Sequence, residues 1–190
     1  MLSKQLRTLT GEDLRKYAEC ALLTWGDLDD FRHFLPRVFE LAAAFEFLPE
    51  TPMLFSRLKR AKWRSWPMAE QIAVEQFLWS WWESSVSSFP GGPVEETLEV
   101  LAQAFDDLTP FLVHWRANDS PAALRHFGES WQHICGASWY GRDHDKQARE
   151  WLCTKPTQDW ILNGYLRYEN ENWAEDFASS VDLMLSFATS

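Results

Sequence analysis

Apolar side chains recur along this chain three and four residues apart, the spacing that gathers them on one face of an α-helix. Leu14, Tyr17, Ala18 and Ala21 form the first such stripe, and Val94, Leu98, Leu101 and Phe105 form another. Phe127, Trp131 and Ile134 follow, then Ile161, Tyr165 and Tyr168, and finally Trp173, Phe177, Val181, Met184 and Ala188. No stretch sustains period-2 alternation between hairpin turns, so the pattern predicts no strand.

Helix starts are marked by chemistry as well as by periodicity. Proline suits the first turn of a helix, where its missing N–H had no partner to lose. Pro52, Pro67, Pro93, Pro110, Pro121 and Pro156 each open an apolar-periodic segment, and Thr51, Thr109 and Ser120 stand before three of them as N-caps. The resulting helices cover 11–24, 28–47 with a break at Pro36, 52–63, 67–88, 93–105, 109–117, 121–135, 143–153, 156–168 and 172–187. Short connections predict antiparallel neighbours. This is an all-α chain of about ten helices in one domain spanning 1–190, built as a HEAT-like α-solenoid or as an irregular helical bundle.

The segment from Pro67 to Ser88 has the widest apolar arc. Gln76, Ser80, Glu83, Ser84 and Ser87 make a narrow polar strip, while Ile72, Val74, Phe77, Leu78, Trp81, Trp82 and Val86 occupy most of the remaining circumference. Such a helix is expected to be packed on several sides. At ~100° per residue Trp79 and Trp81 lie on opposite flanks of the arc, which points to core packing rather than a shared aromatic cage.

The stretch YAECALLTWGDLDDFRHFLPRVFELAA, Tyr17 to Ala43, resembles a segment found in a family of uncharacterised bacterial proteins, most specifically at Phe31, Arg32, His33, Phe34, Leu35, Pro36 and Arg37. The resemblance implies a bacterial source and a helical fold and brings no catalytic residue with it. Physically, Asp27 is placed to cap a helix and Pro36 to interrupt it, because proline removes an N–H and crowds the preceding turn.

Composition narrows the class further. The hydrophobic fraction of 46% supports a sizeable core, and twelve tryptophans supply large rings whose indole N–H groups need partners. The net charge of −10 opposes a phosphate backbone, so no nucleic acid is expected as a partner. No apolar run approaches the ~20 residues that span a bilayer, and no secretion signal is visible, so no membrane partner and a cytoplasmic location are expected. Cys20, Cys135 and Cys153 are too irregular for a disulfide framework or a metal knuckle and are expected to be reduced.

Candidate chemistry is sparse. No phosphate-binding glycine loop, nucleophile elbow or zinc helix occurs, and Gly91, Gly92 and Pro93 read as a helix connector. His126 and His133 share a helix face but are separated by ~10.5 Å of axis, too far to grip one ion alone, so neither a metal nor a cofactor is expected. The segment Gly136 to Asp145 combines glycine freedom, aromatic surface and ionisable groups, which makes Trp139, Tyr140, Arg142 and His144 the candidate binding residues. Asp143 and Asp145 can equally serve to cap the following helix. Arg57, Arg60 and Arg64, with Lys59 and Lys62, form a basic stripe beside Trp63 that either meets phosphate or pairs with acidic faces around Glu40, Glu46 and Glu50. The expected function is a non-enzymatic protein-interaction module on a helical scaffold, with another protein as partner, as in a bacterial immunity or accessory protein. The alternative is a small-molecule-binding protein or enzyme with a Trp-lined pocket near 136–145.

Overall fold

The computed structural model describes residues 5–24, 26–46, 51–136 and 142–188, and no strand occurs among them. Ten α-helices follow in order: α1 (Gly11–Cys20), α2 (Leu28–Ala43), α3 (Thr51–Arg60), α4 (Met68–Ser87), α5 (Val94–Ala104), α6 (Thr109–Arg116), α7 (Pro121–Gly136), α8 (Arg142–Cys153), α9 (Lys155–Tyr168) and α10 (Ala174–Ala188). Short 3-10 turns at Leu6–Thr8 and Trp63–Ser65 precede α1 and α4. The all-α expectation therefore holds. All six prolines stand where a helix begins: Pro52, Pro110, Pro121 and Pro156 in first turns, Pro67 and Pro93 just before them.

Local chemistry sets the boundaries. Thr10 and Asp13 form a capping box at α1, and Asp27 and Asp30 form one at α2, where Asp27 Oδ1 accepts from Asp29 N (2.9 Å) and Asp30 N (3.0 Å). Ser120 caps α7 through Ala123 N at 3.2 Å. At α6 the cap comes instead from Asp107, whose Oδ1 accepts from Thr109 N at 2.9 Å, because Thr109 already lies inside the helix. Pro36 does not break α2. The helix runs through it with Pro36 on the exposed side, at the loss of the hydrogen bond its N–H would have given to Arg32 O.

The chain divides into two compact units, residues 1–81 and 82–190, with the boundary inside α4. In the first, α1 packs on α2 and α3, and the aromatic core centres on Phe39, stacked on Phe55 (5.4 Å) and Phe77 (4.2 Å), with Trp81 beside both partners. Phe31 meets Trp66 edge-on at 6.3 Å, and Trp66 Nε1 donates to Ala61 O at 2.9 Å.

In the second unit α7 is the hub, touching α5, α8, α9 and α10. Gly128 and Gly164 permit two of these approaches. A Cβ on Gly164 of α9 would meet Leu124 Cδ2 at 2.5 Å, and one on Gly128 of α7 would meet Phe177 Cδ2 at 2.9 Å. Trp82, Trp115, Trp151 and Trp160 form a continuous buried series, with ring centroids 5.6 Å apart for the first pair, 6.0 Å for the second and 6.4 Å for the third. Trp82 Nε1 donates to Phe111 O at 3.0 Å, Trp115 Nε1 to Ala123 O at 3.0 Å and Trp160 Nε1 to Asn118 O at 3.2 Å, so the rings are fixed in direction as well as buried. The polar strip of α4, Gln76, Ser80, Glu83, Ser84 and Ser87, is exposed, as its spacing predicts.

Candidate functional site

Arg32 of α2 meets Glu70 of α4, and seven residues further along each helix Phe39 stacks on Phe77. Equal steps in the same direction mean that α2 and α4 run parallel there. Between them lies a cavity of about 620 Å3, lined by Asp29, Arg32, His33, Leu35, Pro36 and Phe39 on α2, by Glu70, Ala73 and Val74 on α4, and by Trp66. The α2 residues follow near-helical spacing over ten positions, so the groove extends for ~15 Å.

Its floor is apolar and its mouth ionic. Leu35, Phe39, Trp66 and Val74 are buried, whereas Asp29, His33, Pro36 and Ala73 are exposed. Arg32 donates through Nε to Glu70 Oε2 at 2.8 Å and through Nη2 to Glu70 Oε1, a forked pair that fixes both side chains. The hydrogen bond to Glu70 raises the guanidinium pKa, and Asp29, whose Oδ1 lies 3.5 Å from Nη1, adds to that effect. Arg32 also lies over the Trp66 ring, 5.8 Å from its centroid. Met68 and Ile72 are 68% and 43% exposed, but at ~100° per residue they fall on the side of α4 away from Glu70, Val74 and Phe77 and do not line the cavity.

The residues singled out from the sequence are distributed differently. Trp139 and Tyr140 lie outside the described residues. Arg142 opens α8, and His144 is buried in the first turn of that helix rather than displayed on a loop. Asp143 and Asp145 occupy the same first turn, where acidic groups suit the helix dipole. Nor do Arg57, Arg60 and Arg64 make one exposed stripe. Arg57 is buried, α3 ends at Arg60, and Lys62 turns the chain with φ +50°, so Arg64 leaves the α3 face. Arg64 instead pairs with Glu75 and stacks over Trp63 at 4.0 Å. His126 is structural: its Nε2 lies 2.8 Å from Ser88 O, and its ring abuts Phe89.

The groove was only half visible beforehand. Phe31 to Arg37 stood out as a segment, and Pro36 as an oddity, but nothing local to either announces Trp66, Glu70 and Val74 as the opposite wall. No helix among the described residues is long and apolar enough to cross a membrane. Comparison with protein-family models, with curated proteins and with solved structures finds nothing that matches this chain, so what the groove can do is read from its own side chains.

Proposed function

We propose that this chain is a non-enzymatic interaction protein and that the α2/α4 groove is where it receives a partner protein. The observation that carries this reading is an open groove ~15 Å long whose floor, Leu35, Phe39, Trp66 and Val74, is apolar and whose rim, at Pro36 and Ala73, is exposed. An open concave apolar surface favours association, because a partner laid over it removes its area from solvent. The ionic groups at the mouth are already committed to each other, as suits orientation and specificity rather than chemistry on a substrate.

A photoreactive residue placed at Ala73 tests the reading. It should crosslink a protein that the same group at Glu83, exposed on the polar strip of α4, does not reach. Ala73→Trp should abolish capture by a photoreactive residue at His33, on the opposite wall of the groove, while leaving the circular dichroism spectrum unchanged. A cavity of this volume also suits a small ligand. Native mass spectrometry that finds a retained small molecule, displaced by Ala73→Trp, would replace the protein-binding reading with that one.

A further inference from the structure

On α7, Arg125 and Glu129 stand one turn apart, a spacing at which opposite charges can meet. Lys146 with Glu150, and Lys155 with Asp159, pair at that spacing in the same unit. Arg125 and Glu129 do not. The guanidinium is turned instead onto the Phe89 ring, 3.8 Å from its centroid and 5.8 Å from that of Trp173, and it makes neither an ion pair nor a hydrogen bond with any described residue. The exposed carboxylates of Glu129 and Asp176 make none either. All three side chains line one pocket of about 150 Å3 between α7 and α10. Trp173 lies beside Arg125, and Phe177 packs at Gly128, so the two helices run parallel there. Arg125 and Trp173 therefore stand at one end of the pocket, with Glu129, Asp176 and Phe177 a turn further on.

The rings that hold Arg125 are themselves braced. His126 meets Phe89 edge-on at 4.9 Å, and Tyr168 and Phe177 lie 5.6 and 5.8 Å from Trp173. A guanidinium whose face is covered by a ring still offers its N–H edge, the fork that matches a carboxylate. Two carboxylates beside aromatic rings suit an ammonium group. A ligand of either charge alone is opposed by one end of the pocket, and a ligand that carries both charges is opposed by neither. A volume of this order is too small for a drug-sized molecule and holds about six heavy atoms. We infer that the pocket binds a small amino acid as its zwitterion. The ligand carboxylate lies on Arg125 and its ammonium lies between Glu129 and Asp176. The site belongs to the second unit and stands independently of the α2/α4 groove.

Ligand-observed NMR titrations of the full chain test this with the common amino acids, β-alanine and γ-aminobutyrate. A small member of the panel should saturate with a Kd of about 1 mM or below. Its amide, which lacks the carboxylate, and its N-acetyl derivative, which lacks the ammonium, should each bind about tenfold or more weakly. Arg125→Gln should erase the preference for the amino acid over its amide. Glu129→Gln and Asp176→Asn, both on exposed side chains, should erase the preference over the N-acetyl derivative at an unchanged melting temperature. Absence of saturation across the panel overturns the inference, and so does an amide that binds as tightly as its parent. Binding untouched by Glu129→Gln and Asp176→Asn together would place the ligand elsewhere. Should Arg125→Gln fail to fold, the amide comparison and the two exposed variants still decide the matter.

Discussion

Residues 1–81 contain 11 basic and 11 acidic side chains, and residues 82–190 contain 7 and 17, so the entire net charge of −10 belongs to the second unit. The cavities fall the other way. Two of about 620 and 700 Å3 open in the first unit, against 150 and 240 Å3 in the second, among the described residues. Both units are rich in aromatic rings, and what differs is how the rings are held. The second unit threads four tryptophans through its centre and ties three of them to backbone carbonyls, closing the space between helices. In the first unit the ring stack at Phe39 closes only one end of the α2/α4 groove, and an ion pair rather than packing joins the walls at the other. A groove persists where a polar contact spaces two helices that apolar side chains would otherwise draw together.

The largest expected effect is on the tryptophan series. Trp115→Ala removes a fully buried ring and should cost about 4 kcal/mol in denaturant unfolding. Trp115→Phe, which leaves Ala123 O without its indole donor, should cost about 2 kcal/mol. Trp151→Phe should cost less, since the Trp151 N–H is buried without a hydrogen-bond partner. Equal losses for the two phenylalanine variants would mean that ring volume alone holds the second unit.

Glycine should act in opposite directions in the two units. Gly164→Val drives a branched side chain into Leu124 and should destabilise by about 2 kcal/mol. Lys62→Gly relieves a non-glycine residue held at φ +50° after α3 and should stabilise by about 0.5 kcal/mol, the strain relief being partly offset by the entropy of the unfolded chain. Chemical denaturation measures both, and a stabilising Gly164→Val would show that α7 and α9 can separate at little cost.

The smallest effect concerns acid. Burial, reinforced by Glu95 and Glu99, raises the pKa of Glu96, and burial raises that of Glu99 against the opposing pull of His133. With folded pKa values above the unfolded ones, the folded state takes up these protons first. These two groups therefore add stability as pH falls from neutral through their folded pKa values toward the unfolded ones, and lose it again as pH rises. Glu96→Gln should raise the melting temperature at pH 7 and leave it nearly unchanged at pH 4. An equal gain at both values would assign the effect to packing instead of charge.

Element positions were legible because proline, capping residues and apolar spacing agree locally at nearly every start, from Pro52 to Pro156. The departures come where tertiary context decides. Pro36 stays within α2, on its exposed side, and Arg57 turns inward although its neighbours suggest an exposed stripe. His144 is buried although its neighbours read as a displayed loop. The site was the least legible part, since Arg32 and Glu70 are 38 positions apart and their pairing depends on α2 and α4 running parallel, which no local signal encodes.

The tryptophan series also has an optical consequence. Indoles whose centroids lie 5.6 to 6.4 Å apart exchange excitation faster than they emit, and Trp82 and Trp115 do so at an interplanar angle of 89°. Light absorbed by any one of Trp82, Trp115, Trp151 and Trp160 is therefore emitted by the group, with its polarisation scrambled by the first transfer. Emission from this cluster should be depolarised even in a rigid glass, and should recover anisotropy stepwise as single rings are replaced.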